Sequence, residues 1–528
     1  MAKKIKKTIP FILAIALFAC IFSGCGVEGG EDEEPIPEIS EEGDTQTDYY
    51  KADNVFSLNC NKESSFNPFT TTNSSNILCT QLMYDTVFDV DENFMPESKL
   101  LESYKSDDGK CWYFYVDKTV KFWDGSTLTA QDVEYSIQRA MRSSQFSERL
   151  KPMIGVKAMD EELFIINLYN ADMNFPVLLN IPVIKYGTVE DYAPMGTGMY
   201  MPDEAYTKLT AFTGHKNAAS LPLDTIYLKE YTEIEDIITA FENSEIDLVT
   251  NNPTGFSNIG YGSVNEVRRY PTTNMIYIGF NSNSRFFSNP QFRKAITYVV
   301  DRERIVKDYM GGAATPAALP MNPACANYND AYSEIISYSV KKGEMAFDEA
   351  QVQDYDDNGK REMMITGIPC DINIDFIVCS DSPIKVKSAR CIVENLEDMG
   401  ITVTLRELPW DDYISALNKG NFDMYYAETK LGANFSLRNL LFSGGSLNYG
   451  KFSDPLLEQY INEYMLCGEE ERQKSADIMF KYITDTAPIV TVCFEKQEVI
   501  THRGVVSGMK PTMYNIFRGI ENWEINLD

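Results

Sequence analysis

Apolar residues follow two spacings along this chain, one of about four and one of two, and the segments carrying them alternate. Thr129-Ala130-Gln131-Asp132 has the form of a capped helix start, and Val133, Ile137, Ala140 and Met141 follow on one face. A second helix is predicted from Asn289-Pro290, an N-cap and a first-turn proline, with Phe292, Ile296 and Val299 at helical spacing. Just before it Ile276, Ile278 and Phe280 alternate as a strand does. Ile372, Ile374 and Phe376 mark another strand, Ser382-Pro383 opens a helix through Ala389, Val393 and Leu396, and Gly400 ends it. A strand at Ile401 to Leu408, a helix at Asp411 to Lys419, Gly420 and a strand at Phe422 to Ala427 complete a βαβαβ series. Such a series predicts an α/β protein with parallel strands and helices on the sheet faces.

The first residues do not fit that pattern. Lys3, Lys4, Lys6 and Lys7 precede an apolar run from Phe11 to Phe22, shorter than the roughly 20 residues that cross a bilayer and typical of an export leader. Phe22-Ser23-Gly24-Cys25 resembles the bacterial lipobox, which implies cleavage before Cys25 and a lipid on its thiol. The alternative is an ordinary leader with an incidental cysteine. Residues 1–25 are thus expected to be a lipoprotein signal and residues 26–50 an acidic tether, with many carboxylates, no basic residue and little to build a core.

The formal charge is −31, and −35 once the four leader lysines are removed. That balance argues against nucleic acid, whose affinity comes from Lys and Arg neutralising phosphates. It does not set the local sign of a pocket. Nine cysteines follow Cys25, at long spacings that suit neither a zinc framework nor a small disulfide scaffold, and most are expected to be small buried hydrophobes. Only His215 and His502 are present, and no metalloprotease, nucleophile-elbow or phosphate-loop motif occurs, so no enzyme and no cofactor are expected. A carboxylate-based secreted hydrolase is the rival class.

Several blocks carry a resemblance in order. They are Phe66-Asn67-Pro68, Val120 through Val133, Gly196-Thr197-Gly198-Met199-Tyr200, and Ile278-Gly279-Phe280-Asn281 followed by Phe292-Arg293-Lys294-Ala295-Ile296 and Val300-Asp301-Arg302. Together they resemble the family 5 extracellular solute-binding proteins of ABC transporters, which include oligopeptide, dipeptide and nickel receptors. The resemblance implies a two-lobed, type II periplasmic-binding-protein-like fold with a hinge and an interlobe ligand cleft. Residues 51–270 and 496–528 would form lobe I and residues 271–495 lobe II, with crossings near Arg269 to Tyr277 and Val490 to Ile500.

It also implies a monomeric receptor on the outer face of the cell membrane, delivering short peptides to permease subunits. Alternatives are a chelated metal or a sugar as ligand, or a signalling output. By the same resemblance Glu428, Thr429 and Lys430 face the ligand. Glu428 would take an ammonium and Lys430 a carboxylate, unless the two pair with each other. In the loop Leu441 to Gly450, Gly444 and Gly445 stand where peptide receptors carry an aspartate for the amino terminus, which moves amine recognition to Glu428. Ser446, Asn448, Tyr449, Asn67 and the aromatics Trp410, Tyr425 and Tyr426 complete the expected contacts, although alternation forbids both tyrosines from facing one cleft. Asp354, Asp356 and Asn358 open a calcium-type loop, but Ile365 holds its twelfth position. A structural turn is favoured there over a calcium site.

Overall fold

The computed structural model describes residues 53–255 and 265–527. Cys25 and the tether therefore lie outside the described residues, which belong to one compact unit, Asp48–Asp528.

The local signals fold as the chemistry demands. Thr129 and Asp132 cap each other reciprocally at the start of the helix Ala130–Ala140. Asn289 accepts from the Gln291 amide ahead of the helix Pro290–Val299. Ser382 caps the helix Pro383–Asp398, and the helix Trp410–Lys419 ends on Gly420 in the left-handed region that glycine adopts without strain.

One sheet runs through the whole fold. At one end Thr402–Leu408, Asn373–Cys379 and Met424–Lys430 lie parallel, as the βαβαβ pattern requires. At the other end Ser57–Cys60 lies parallel to Thr225–Glu230 and pairs with Leu248–Asn251. Two long antiparallel strands join these halves, Asn265–Phe280 and Ile489–His502. The first is much longer than its apolar alternation, because residues 265–274 are mostly charged or polar, and Val267 and Tyr270 are too few and too irregularly spaced to signal a strand. Its pairing with the second is in register through Pro271, breaks, and resumes at Met275. A register break in a long strand pair is where a sheet bends.

A separate four-stranded antiparallel sheet forms from Leu101–Lys105, Cys111–Val116, Leu163–Leu168 and Met153–Ala158. The core around the parallel strands holds Ile276, Ile278, Phe292, Ile374, Phe376 and Val492. A larger core gathers the first part of the chain and also takes in Phe435, Leu437, Leu457 and Phe480. Phe94 meets Phe435 edge to face at 5.0 Å, so the segment after Lys430 packs on the early part of the chain. The nine cysteines after Cys25 are all unpaired, five of them buried.

Candidate functional site

The strand Met424–Lys430 places most of the expected side chains. It lies between Asn373–Cys379 and the first long strand, with Ile276 opposite Glu428 and Asn274 opposite Lys430. Alternation sends Tyr425 and Tyr426 to opposite faces, and each joins a different hydrophobic core. Both are almost wholly buried, at 2% and 1% exposure. Tyr425 sits among Phe422, Tyr277 and Tyr449, with ring centroids 5.0, 5.8 and 6.3 Å away. Tyr426 gives its carbonyl to the Tyr413 hydroxyl at 2.8 Å. Each tyrosine is packed into a core, Tyr425 into the larger one and Tyr426 into the one around the parallel strands. Thr429 is buried as well.

Glu428 and Lys430 do not pair with each other. Glu428 lies 2.6 Å from Lys385, in the first turn of the helix Pro383–Asp398. Close to both is Glu495, on the second long strand, buried and 3.4 Å from the Asn274 amide. Burial first, and then the Glu428 charge, push the Glu495 carboxyl up to about 7, against the opposing pull of Thr254, Lys385 and Asn274. Lys430 makes no ion pair with any described carboxylate, yet its surroundings lower its pKa, first through burial and then through the Arg149 guanidinium. The Lys430 side chain is itself exposed, so neighbouring atoms desolvate its ammonium without enclosing it, beside a second cation.

The loop after this strand is built mainly for its own shape. The Asn448 amide donates to the carbonyls of Phe442 and Phe452 at 2.9 and 2.7 Å, and its oxygen accepts from the Phe452 amide at 2.9 Å. A side chain at Gly445 would strike the Asn439 carbonyl, whereas Gly444 faces open space. Ser446 is exposed and Tyr449 half-buried. Asn67 is buried, donating to the Val189 carbonyl at 2.6 Å and accepting from Phe69 at 3.0 Å. Asn67 and Asn448 thus have their polar atoms engaged by backbone. Trp410 is 56% exposed at the head of its helix, 6.4 Å from Tyr413, and offers a free indole face.

The Asp354 loop brings Asp354, Asp356 and Glu362 together, with ligand atoms within 4.8 Å of one another. Asn358 belongs to the same turn, its backbone amide donating to Asp356 at 3.3 Å and its side-chain oxygen accepting from the Lys360 amide at 2.7 Å. Asp354 accepts from the amides of Asn358 and Gly359 at 3.0 and 2.8 Å, and Glu362 from that of Tyr355 at 2.8 Å, so these carboxylates fasten the turn itself.

Sequence reasoning missed Lys385, Arg149 and Glu495. Glu495 alone left a signal, as the acid that ends the largely apolar run from Ile489 to Phe494.

Residues 96–441 match the family Bacterial extracellular solute-binding proteins, family 5 Middle. The oligopeptide-binding protein AppA of Bacillus subtilis is 24% identical over 390 residues, covering 68% of this chain and 69% of that protein. Heme-binding protein A of Haemophilus influenzae is 23% identical over 434 residues, covering 72% and 75%. Among solved structures, the periplasmic murein tripeptide binding protein MppA in its unliganded open form superposes with a TM-score of 0.72 at 17% identity, covering 90% of this chain and 98% of that one. That likeness gives the fold, two lobes of mixed α/β structure. With the family match over most of its length, the chain belongs to the bacterial extracellular solute-binding proteins of family 5.

Proposed function

We propose that this protein captures a short peptide outside the cytoplasm and hands it to the permease subunits of an ABC importer. The observation that carries this is the pair of long strands, Asn265–Phe280 and Ile489–His502, which carry one sheet between the lobes and change register between Pro271 and Met275. We place the hinge at that break, with residues 51–270 and 496–528 on one side and 271–495 on the other. A ligand that touches both lobes only when they are together shifts the hinge toward closure. The peptide-binding relative supports the ligand class. Lys430, which pairs with no described carboxylate, takes the peptide carboxylate, and Trp410 offers an apolar face to side chains. Glu428 is already engaged by Lys385, so an ammonium would compete with that lysine. We assign the protein no catalytic step.

Cys25 is proposed to carry the lipid that holds the receptor to the membrane, with the acidic stretch after it as a spacer. Replacing Cys25 by Ala should release the protein from membranes, read by fractionation. Native mass spectrometry of the compact unit from Asp48 onward, purified gently from rich medium, tests the ligand class. A ladder of co-purified short peptides supports the reading, and a single non-peptide mass refutes the peptide assignment.

A further inference from the structure

We propose that Arg149 and Lys430 form a two-cation latch that closes on an anionic group of the ligand. The solutes carried are then acids held by a carboxylate, with no free amine required. This rests on the receptor reading above and narrows its substrate class.

The two side chains come from distant parts of the chain and are brought together by packing. Leu431 donates its amide to the Thr273 carbonyl at 3.0 Å, beside the register break. Asn434 donates to Asp172 at 2.8 Å, and Leu178 lies 3.4 Å from where a side chain at Gly432 would begin. The segment 431–434 therefore runs along residues 172–178. Arg149 is tied to the same stretch, donating to the Asn180 carbonyl at 3.2 Å. Its guanidinium lies 5.4 Å from the Phe146 ring and 5.5 Å from the Tyr514 ring. One carbonyl and two rings fix its plane and leave most of its five N–H donors unused.

Neither cation has a carboxylate partner among the described residues, in a chain with far more acids than bases. Desolvation first, and then the like charge of Arg149, lower the pKa of Lys430. Two cations held together without an anion repel, so bringing them closer is unfavourable while the cleft is empty. A carboxylate placed between them reverses the sign of both interactions and accepts from the guanidinium fork and the ammonium at once. That differential is what a ligand needs to drive closure. The acid that could have met a ligand amine, Glu428, is held by Lys385, so selection falls on the anionic end.

The test is calorimetric titration of the wild-type protein, Lys430→Gln and Arg149→Gln with matched solutes. The probes are trialanine, its C-terminal amide and its N-acetyl form, galacturonate with galactose, and succinate with succinamide. In wild type the acid member of a binding pair should bind ~10-fold or more tightly than its neutral counterpart. N-acetylation should cost less than ~3-fold on the same scale. Either variant should bring the acid and neutral members within ~2-fold of each other. Lys430 is exposed, so Lys430→Gln stands as the test even where Arg149→Gln compromises folding. Trialanine and its amide binding alike would overturn the latch and leave the peptide reading standing. Galacturonate or succinate binding in place of any peptide would overturn the peptide reading and leave the latch. Binding of no member of any pair would overturn both.

Discussion

Glu495→Gln isolates a buried charge beside the register break of the two long strands. Glu495 is 5% exposed, faces the like charge of Glu428, and has Lys385, the Thr254 hydroxyl and the Asn274 amide as its compensation. Its carboxyl is pushed up from 4.5 to about 7, burial contributing most and Glu428 next. The folded protein therefore holds this proton more tightly than the unfolded chain does. The resulting stability is fully present below about pH 4.5 and is lost as pH rises through about 7. A shift of that size corresponds to at most ~3 kcal/mol. The substituted amide would keep a neutral group of nearly the same shape, within hydrogen-bonding reach of Thr254 and Asn274. The variant should then match wild type in mild acid and exceed it by up to ~3 kcal/mol at about pH 8. Urea unfolding of both proteins at half-unit steps, analysed as the difference between them, cancels the other titrating groups. A difference that stays flat with pH, or that favours wild type at high pH, would show that Glu495 is not held protonated by its surroundings. Glu428→Gln provides an internal control. It removes the like charge and frees Lys385, so the midpoint attributed to Glu495 should fall.

Gly279→Ala should cost about 1–3 kcal/mol in chemical denaturation, because the new methyl would land in the Tyr425 ring and displace it from Tyr277, Phe422 and Tyr449. Asn434→Ala removes the side-chain donor to buried Asp172, whose carboxyl burial already raises, and should lower stability by about 1–3 kcal/mol in the same assay. Trp410→Ala should leave the melting temperature nearly unchanged, since the ring is mostly exposed, while weakening ligand affinity by about 1–2 kcal/mol and abolishing any ligand-induced change in indole fluorescence.

What could be read from the sequence follows from how local each cause is. Thr129 with Asp132, Asn289 with Pro290, and Gly420 act within one helical turn, so the elements they bound were legible and stand where expected. The parallel strands at Asn373–Cys379, Thr402–Leu408 and Met424–Lys430 showed in the same way. The first ten residues of the long strand Asn265–Phe280 did not, because Glu266, Arg268 and Arg269 carry no apolar signal and the strand exists through its pairing with Ile489–His502. The sheet around Cys111–Val116 had a usable pattern, with Trp112, Phe114 and Val116 turned inward and the residues between them less buried. For the site, Glu428 and Lys430 were visible as neighbours two positions apart, which invited pairing them with each other. Their true surroundings, Lys385 for one and Arg149 for the other, come from a helix in front of the strand and from a segment almost three hundred residues earlier. No local rule connects such positions. Tyr425 and Tyr426 left core and cleft open for a related reason, since aromatic residues near a cleft and aromatic residues under it look alike until the packing on both faces of the strand is known.

The charges around Met424–Lys430 are arranged unequally, and the inequality bears on what the cleft can accept. Glu428 and Glu495 are two acids near enough to act on each other, and the chain supplies Lys385 beside Glu428 and a proton for the more buried one. Arg149 and Lys430 are two cations near enough for the first to act on the second, and no described carboxylate pairs with either. A structural ion network would compensate both pairs, because an uncompensated like-charge contact opposes folding wherever solvent is partly excluded. The cost is retained at only one of the two, and there a small anion from outside would remove it. Of the groups on a peptide, the carboxylate meets that requirement and the ammonium adds to the repulsion, so the proposed two-cation latch sets the acidic end of a bound peptide at Lys430, beside the register break.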